Sequence, residues 1–466
     1  MQWIRPTALG VAACVVLQSP LAAQRPDRAR IEAVADSVVG AALATGQVAG
    51  MSVAVVRDRD TLVLKGYGRA DLEFDVPTPP AAIYEIGSLT KQFTATAILQ
   101  LAEQGRLSLD DDLSKHLPDY PLQGRRIALR RLLDHTSGIA SYTSLPEYES
   151  LSLHALPPDS IVAFFGGRPF DFAPGEAMAY NNSGYFLLGL IIEKVSGESY
   201  ADYVRKHLFE PAGMSDSRYC SERAVVKGRA HGYSMGPGGL VRAAYLAHAW
   251  PYAAGSLCST VGDLVAWNRA LHGVRLLSER SYRELVTAGA LADGTRLRYA
   301  KGVAVDSLHG RRAVHHGGDI EGFTSELRWF PDGAVTIAVL VNSQGPVRPQ
   351  AIASAIGAAL FGTPGPRTSS LSGVSSDYAG EYRSGTDSAA MVLTIDVDPS
   401  GSGLVMRMGR GSSERLVHTG ADGFEVIDAP AGSVRLTFLR EGGRVVALRL
   451  DAVYLNLVLR RQPASR

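Results

Sequence analysis

The sequence predicts an α+β fold, in which an antiparallel sheet is flanked by helices and carries an inserted helical lobe, followed by a small C-terminal antiparallel β-barrel domain. Strand-like runs lie near both ends of residues 28–361 and helical patterns fill the middle, the order expected when the two ends of one domain share a sheet. Residues 362–375, rich in Gly, Pro and Ser, form the predicted linker. Residues 376–463 contain closely spaced alternating strands without helical patterns, which predict the barrel.

The elements of the first domain follow from the spacing of apolar residues. Helical spacing predicts helices over residues 27–44, 88–101, 127–133, 160–165, 186–195, 264–271 and 350–360. Alternating or continuous apolar runs predict strands over residues 51–56, 61–66, 299–305, 313–316, 325–330 and 335–341. Residues 210–254 are rich in Gly, Pro and Ala, which indicates long loops or an excursion at the edge of a site.

Six short strands are predicted in the second domain. They cover residues 391–397, 404–408, 423–427, 434–439, 445–450 and 453–459. His418 is expected in a loop before residues 421–423, and Tyr454 and Asn456 are expected to share one face of the last strand.

Composition excludes several classes of partner. The chain has 466 residues, of which 20% are charged, and a formal net charge of +1. Since no basic run is interleaved with aromatic residues, neither nucleic acid nor an anionic membrane surface is indicated. No stretch has the length of a membrane-spanning helix.

No metal-ligand motif such as His-Glu-x-x-His occurs in the sequence, so no metal or cofactor is expected. The oligomeric state is left open.

The N-terminal segment predicts export. Residues 1–23 have a short polar start, an apolar core and a breaker, the layout of a signal peptide cut after Ala23, which predicts a secreted or periplasmic protein. Attachment of a lipid at Cys14 is the alternative, but the apolar core continues beyond that residue. Cys220 and Cys258 could pair in an oxidising compartment, although the sequence does not give the distance between them.

The segment that begins at Ser88 is the first candidate for chemistry. Ser88 is the one serine in the sequence with a lysine three residues later, Lys91. On a helix that begins near Ser88, the two Cβ atoms would lie roughly 5–6 Å apart. A serine hydroxyl attacks a carbonyl only when a base or a positive field activates it, and a buried lysine supplies either. The alternative role of Ser88 is that of a helix N-cap.

Acyl transfer through Ser88 also requires a proton carrier and groups that hold the substrate. Tyr180 is a candidate carrier, on the hypothesis that a nearby ammonium lowers the pKa of its phenol. Asn182 is a candidate ligand for a substrate amide. The same Tyr-x-Asn spacing recurs at Tyr454 and Asn456, where it is interpreted as a coincidence in a strand of the barrel.

A second candidate segment is His316-Gly317-Gly318, on a strand that leads to a turn at Gly322. Glycines without side chains let a substrate lie against the backbone. The histidine is a candidate to hold an anionic group of the substrate or to tune Tyr180. The alternative is a histidine that only fills the end of a strand.

A rival nucleophile is Ser234, because residues 232–236 fit the pattern Gly-x-Ser-x-Gly. That elbow has to follow a buried strand and open a helix. Polar residues precede it and Pro237 follows it, so neither context is present.

Together, Ser88-Leu89-Thr90-Lys91, Tyr180-Asn181-Asn182 and His316-Gly317-Gly318 resemble the three motifs of the penicillin-recognising serine hydrolases. The branch most similar to this chain holds class C β-lactamases, D-alanyl-D-alanine carboxypeptidases, D-aminopeptidases and related esterases. The resemblance covers about residues 28–360 and extends to residues 132–138, 174–176, 187–189, 211–214, 259–264 and 329–331. Residues 376–463 resemble the lipocalin-like β domain that is often appended to such chains.

The resemblance implies a β-lactamase/transpeptidase-like fold and an enzyme that forms an acyl-enzyme on Ser88. It implies Lys91 and Tyr180 as the pair that transfers protons, and substrate contacts from Asn182, His316, Gly317 and Gly318. The backbone N–H groups of Ser88 and Asp319 would form the oxyanion hole.

One departure from the family pattern bears on the substrate. Class C β-lactamases have Lys-Thr-Gly at the third motif, where this chain has His316-Gly317-Gly318. An esterase or D-amino-acid peptidase acting on a small molecule or peptide is therefore expected. A true β-lactamase is the alternative enzyme, and a catalytically silent binding protein is the alternative of another class.

Overall fold

The computed structural model describes residues 28–363, 375–385, 390–398, 403–409, 411, 413–426 and 434–463. The predicted signal peptide, Cys14, most of the predicted linker and residue 427 lie outside these residues.

A seven-stranded antiparallel sheet forms the centre of the first domain. Its strands are β1 (Gly50–Arg57), β2 (Asp60–Asp71), β3 (Val76–Pro77), β10 (Ala304–Leu308), β11 (Arg311–Ile320), β12 (Phe323–Phe330) and β13 (Val335–Val341). The strand order is β10-β11-β12-β13-β1-β2-β3. Strand β13, with the sequence VTIAVLV, is buried along its whole length because helices cover both faces of the sheet. It pairs with β1 from Met51↔Val341 to Arg57↔Val335, so the two ends of the domain meet in one sheet, as predicted.

Helices cover both faces of this sheet. They are α1 (Arg28–Ala44), α2 (Thr90–Glu103), α3 (Leu113–His116), α4 (Leu129–Leu133), α5 (Tyr148–Leu151), α6 (Pro158–Gly166), α7 (Asn182–Ser196), α8 (Tyr200–Val204), α9 (Glu210–Ala212), α10 (Tyr252–Gly255), α11 (Val261–His272), α12 (Glu279–Leu285) and α13 (Pro349–Phe361). Helices α1 and α13 bury apolar residues against one face, and the inserted lobe, centred on α2 and α7, packs on the other. None of the described helices combines the length and the hydrophobicity that crossing a bilayer requires.

Short strands outside the main sheet form small pairings of their own or, in one case, pair with the barrel. They are β4 (Tyr84–Glu85), β5 (Met178–Ala179), β6 (Arg218–Tyr219), β7 (Tyr233–Gly236), β8 (Gly239–Arg242), β9 (Leu257–Ser259) and β14 (Ser343–Gln344). Strand β9 pairs with β4 and β6. Cys220 and Cys258 form a disulfide beside these strands, with their Cα atoms 5.3 Å apart. The pairing that the sequence left open is therefore made in the structure.

The second domain is a closed antiparallel barrel. In the part of the chain that the structure describes, its eight strands are β15 (Gly380–Arg383), β16 (Val392–Val397), β17 (Leu404–Met408), β18 (Ser413–Gly420), β19 (Gly423–Val426), β20 (Arg435–Glu441), β21 (Arg444–Ala452) and β22 (Leu455–Arg461). Each strand pairs with the next, and β15 pairs with β22 to close the barrel. The barrel has its own apolar core, which includes Tyr382, Leu393 and Leu448.

The predicted fold class is confirmed, and several local predictions are wrong. Of the strand predicted over residues 299–305, only its end belongs to β10, because Ala300 N donates to Val303 O in a tight turn at Gly302. Helix α12 and strands β15 and β18 were not predicted. His418 lies in β18 instead of a loop. Residues 210–254 contain α9, β6, β7, β8 and part of α10 in addition to loops.

Candidate active site

Ser88 lies in a tight turn and not on the helix that follows it. A 3₁₀ turn spans Gly87–Leu89, and α2 begins at Thr90. The Ser88 side chain makes no helix-capping hydrogen bond, so the alternative role as an N-cap is not the one it has here. The Ser325 hydroxyl fixes the turn by donating to the Ile86 carbonyl over 2.9 Å. The predicted start of the helix at Ser88 is therefore two residues early.

Lys91 reaches back from the first turn of α2 to the Ser88 hydroxyl. The Lys91 side chain is fully buried, and its Nζ lies 3.2 Å from Ser88 Oγ. It also donates to Asn182 Oδ1 over 2.8 Å and to the Ala254 carbonyl over 2.9 Å. The acceptors in these two shorter contacts are carbonyl oxygens, so Lys91 has to donate an N–H group to each of them. In a neutral amine the remaining group is the nitrogen lone pair, which can then face Ser88 Oγ.

Burial determines the protonation state of Lys91. Desolvation lowers the pKa of Lys91 well below its ordinary value. No carboxylate is among the hydrogen-bond partners that the described residues give it. A neutral amine at this position can accept a proton from Ser88.

Tyr180 lies over Lys91 at the end of β5. Lys91 Nζ is 4.6 Å from the centre of the Tyr180 ring. The Tyr180 hydroxyl is buried and has no hydrogen-bond partner of ordinary geometry among the described residues. Burial raises the pKa of Tyr180 well above its ordinary value, although the nearby Ser88 hydroxyl acts in the opposite direction. The hypothesis of a lowered phenol pKa is therefore wrong, because desolvation outweighs any stabilisation of the phenolate.

Asn182 lies in the first turn of α7 and holds Lys91 in place. Its Oδ1 accepts from Lys91 and its Nδ2 donates to Thr143 Oγ1 over 3.1 Å. The helix begins here because the preceding Asn181 caps it by accepting from Gly184 N. Asn182 is half-buried, so its amide lies at the edge of the site.

The backbone of β11 lies directly against the Ser88 turn. A Cβ atom at Gly318 would lie 2.1 Å from the Ile86 carbonyl oxygen, and one at Gly87 would lie 3.0 Å from Asp319 N. Gly87 also has a φ of +52°, which favours glycine. The two glycines allow Asp319 N to lie against the turn that contains Ser88. Two N–H groups at such positions can stabilise an oxyanion formed on a carbonyl bound to Ser88.

His316 is buried beside these groups and is uncharged. Its Nδ1 lies 2.6 Å from the Gly317 carbonyl, an acceptor, so Nδ1 carries the proton. The Tyr299 hydroxyl then donates to Nε2 over 2.9 Å. Burial lowers the pKa of His316 to about 3. At neutral pH this side chain does not supply a positive charge for an anionic substrate.

Ser88, Tyr180 and β11 surround one cavity of about 260 Å³. Its wall also contains residues that the sequence did not single out as part of a site: Thr324, Arg348, Gln350 and Tyr454. Arg348 donates to the exposed Asp319 carboxylate over 2.6 Å. The interpretation of Tyr454 as a coincidence is wrong, because this residue lies in the turn between β21 and β22 and contacts the site. The recurring Tyr-x-Asn spacing carried no signal of this role.

The rival serine and the other polar clusters lie elsewhere. Ser234 lies in β7, which pairs with β8 and does not open a helix. Among the described residues, Asp71, Glu73 and His231 place ligand atoms within 4.8 Å of one another. Asp71 already accepts from the backbone amides of Glu73 and Phe74, so this cluster is satisfied in part as a turn.

The sequence model of the Beta-lactamase family matches residues 35–360, which hold every candidate catalytic residue. The chain belongs to the Beta-lactamase family. Protein flp of Staphylococcus aureus (strain MRSA252) is 29% identical over 315 residues, which cover 66% of this chain and 62% of that protein. The chain thus spans less than two thirds of the length of this relative. The predicted membership in the penicillin-recognising serine hydrolases is confirmed.

Two solved structures of members of this fold superpose closely. The octameric penicillin-binding protein homologue from Pyrococcus abyssi has a TM-score of 0.62 and 28% identity, and the match covers 91% of this chain and 99% of that chain. The D-stereospecific amidohydrolase from Streptomyces sp. has a TM-score of 0.62 and 27% identity, with 72% and 99% covered. The predicted β-lactamase/transpeptidase-like fold is confirmed.

Proposed function

We propose that this protein is an exported hydrolase that cleaves a small ester or amide through an acyl-enzyme on Ser88. The observation that carries the proposal is the contact of 3.2 Å between Ser88 Oγ and the buried Lys91 amine, whose pKa is lowered by desolvation. Amide cleavage draws support from the similarity to a D-stereospecific amidohydrolase, and ester cleavage from the wider family.

In the first step, Ser88 Oγ attacks the substrate carbonyl carbon while its proton passes to Lys91 Nζ. The carbonyl oxygen becomes an oxyanion that accepts from the N–H groups of Ser88 and Asp319. The bond from the carbonyl carbon to the leaving oxygen or nitrogen then breaks. Tyr180, a phenol with a raised pKa and a free hydroxyl, donates its proton to the leaving group and takes one back from Lys91.

In the second step, water attacks the acyl-enzyme and gives its proton to Lys91. The bond from the carbonyl carbon to Ser88 Oγ breaks, and the Ser88 oxygen takes the proton back. Asn182 holds the Lys91 amine in one orientation through both steps. Since Lys91 starts and ends neutral, the cycle is balanced.

The uncharged state of His316 disfavours the alternative of a true β-lactamase. A β-lactam carries a carboxylate, and the charge that the lysine of the Lys-Thr-Gly motif would supply is absent at His316. The guanidinium of Arg348 already pairs with Asp319. We expect the protein to turn over nitrocefin slowly relative to p-nitrophenyl esters and D-amino-acid amides.

The proposed export draws support from the layout of residues 1–23 and from the disulfide between Cys220 and Cys258. Structural disulfides persist mainly in oxidising compartments. Expression of the full chain in a Gram-negative host, followed by N-terminal sequencing of the periplasmic protein, tests the cleavage after Ala23. A chain that stays in the cytoplasm at full length would contradict it.

The Ser88 assignment is tested by intact mass after exposure to a small alkyl fluorophosphonate. We expect one adduct on the natural protein and none on the Ser88→Ala variant, which should also lose roughly 10⁴-fold or more of the esterase kcat. Ser234→Ala is the matched control and should keep both the adduct and the activity. An adduct that survives Ser88→Ala would refute the proposal. Labelling without turnover of any ester or amide would favour the silent binding protein.

A further inference from the structure

Tyr454 is held in the candidate site by the backbone of the barrel. Strand β22 pairs with β5 through Leu455↔Ala179 and Asn456↔Met178, the residues that lead into Tyr180. Tyr180 N then donates to the Tyr454 carbonyl over 3.1 Å. Backbone hydrogen bonds therefore hold the two tyrosines next to each other, although they are 274 positions apart in the chain (454 − 180).

The Tyr454 side chain closes the site from the barrel side. Its ring lies 5.2 Å from the Tyr180 ring and 5.5 Å from the His316 ring, centre to centre. Its hydroxyl accepts a hydrogen bond from Gly317 N over 3.3 Å. Tyr454 thus forms part of the wall of the cavity that contains Ser88.

The hydrogen bond from Gly317 shows which edge of β11 is blocked. Strand β10 pairs with β11 only as far as Ala304↔His315. Beyond that point β11 has β12 on one side, and Gly317 N points to the other side, into the cavity. Since N–H groups alternate along a strand, Asp319 N points to the same side as Gly317 N.

An open strand edge is a docking site for an extended chain. A peptide that adds to such an edge uses successive backbone N–H and C=O groups. Along this edge of β11, Asp319 N lies at the end near Ser88, where it can donate to a substrate. The next N–H group on the same side is that of Gly317, which already donates to the Tyr454 hydroxyl. A substrate bound at Ser88 would meet the Tyr454 ring when it extends along β11.

We propose that Tyr454 is a specificity-determining residue that closes the β11 edge and restricts the substrate to compact esters or single amino-acid amides. The proposal rests on the proposed reaction at Ser88. The cavity volume of about 260 Å³ agrees with it, since pockets for larger ligands measure roughly 300–1,000 Å³. The excluded class is peptides of several residues that dock as a strand.

The test compares kcat/KM for two esters that share one leaving group. One has an acetyl group, and the other has an N-acylated tripeptide that ends in D-alanine. We expect the natural protein to prefer the acetyl ester, and Tyr454→Ala to raise the ratio of tripeptide to acetyl rates at least tenfold. Tyr454→Phe removes only the contact with Gly317 N and should change the ratio less. Tyr245→Ala, at a tyrosine with 54% exposure, is the matched control and should leave the ratio unchanged.

Labelling of Ser88 by a small and a peptidyl fluorophosphonate gives a second readout that does not depend on turnover. Suppose that Tyr454→Ala has the melting temperature of the natural protein and reacts with the small probe at the same rate. If its rate of labelling by the peptidyl probe is then also unchanged, the role of Tyr454 is overturned and the proposed reaction at Ser88 is not affected. Failure of every probe to label Ser88 in either protein would overturn both. If Tyr454→Ala does not fold, the Tyr454→Leu variant, which keeps an apolar side chain, carries the same comparison.

Discussion

At the scale of single residues, the central feature is a buried lysine that has no carboxylate partner within the described part of the chain. Lys91 is fully buried, and its three contacts are a hydroxyl, a side-chain amide oxygen and a backbone carbonyl. A buried ammonium without a carboxylate is costly, so burial lowers the pKa of this side chain and favours its neutral form. The same burial keeps Tyr180 protonated. Burial therefore favours the neutral form of both side chains, a base and an acid that lie next to each other.

This arrangement predicts the pH dependence of the activity. The reaction needs neutral Lys91, and because the pKa of Lys91 is lowered, the neutral form dominates from a lower pH than for an ordinary lysine. The esterase kcat/KM should rise with pH through the lowered pKa and reach a plateau well below the ordinary value of 10.5. A steady-state pH profile measures it, and a rate that keeps rising to that value would contradict the neutral base.

The variant Lys91→Arg distinguishes two roles of Lys91, that of a base that accepts a proton and that of a positive charge. Lys91→Arg keeps a cation that does not give up its proton, and we expect a loss of about 10²–10⁴-fold in kcat. Lys65→Arg is the control, since Lys65 forms an ion pair with Glu32 and Asp36 at the surface. It should leave kcat unchanged. Retained activity in Lys91→Arg would indicate that Lys91 acts through its field and not as a base.

The sequence predicted these residues but not their protonation. Ser88 and Lys91 are candidates because they are three positions apart, and the joint resemblance of three short motifs to the penicillin-recognising serine hydrolases implied their roles and that of Tyr180. The direction of the Tyr180 pKa depends on how completely three distant segments exclude water, and spacing along the chain does not contain that quantity. The same holds for His316, whose position was predicted and whose lack of charge was not.

At the scale of elements, the site depends on the close approach of β11 to the Ser88 turn. Gly318 lies where β11 passes the Ile86 carbonyl. A Cβ atom at this position would lie 2.1 Å from the Ile86 carbonyl oxygen and 2.2 Å from Ser325 Oγ, so there is no space for a methyl group. The sequence indicated that missing side chains at this segment would expose backbone. It did not indicate that the partner of that backbone would be the nucleophile turn.

Gly318→Ala should therefore impair the oxyanion hole. The methyl group would push β11 away from the turn and move Asp319 N from Ser88, and we expect a fall of about 100-fold or more in kcat, comparable to the loss of one oxyanion donor. Gly40→Ala, in helix α1 with open space around the added methyl, is the control. It should keep kcat and stabilise the fold by up to about 1 kcal/mol. Full activity in a folded Gly318→Ala protein would contradict this account.

At the scale of the whole molecule, the barrel completes the wall of the site. The architecture of each domain could be predicted from local patterns, because alternation and helical spacing are properties of short segments. The docking of the barrel on the first domain could not be predicted from local patterns. It involves the pairing of β22 with β5 and the burial of Val453 among residues of the first domain. The residues in these contacts are at least 149 positions apart in the chain (453 − 304), so no local pattern predicts them. The sequence placed Tyr454 in a strand of a separate domain, and its Tyr-x-Asn spacing was therefore interpreted as a coincidence.

Val453 offers a way to release the barrel without changing the Ser88 residues. It is 4% exposed and packs in an apolar cluster with Met178, Leu291, Leu297, Tyr299 and Ala304. Burial of a carboxylate among apolar side chains is costly, so Val453→Asp should weaken the docking by about 3 kcal/mol or more. Because the barrel has its own core, we expect calorimetry to show two separate transitions, and the small fluorophosphonate to label Ser88 still. Met408→Asp, at a barrel residue with 47% exposure, introduces the same charge away from the interface and should unfold like the natural protein. An unchanged melting profile in Val453→Asp would mean that the two domains do not stabilise each other through this cluster.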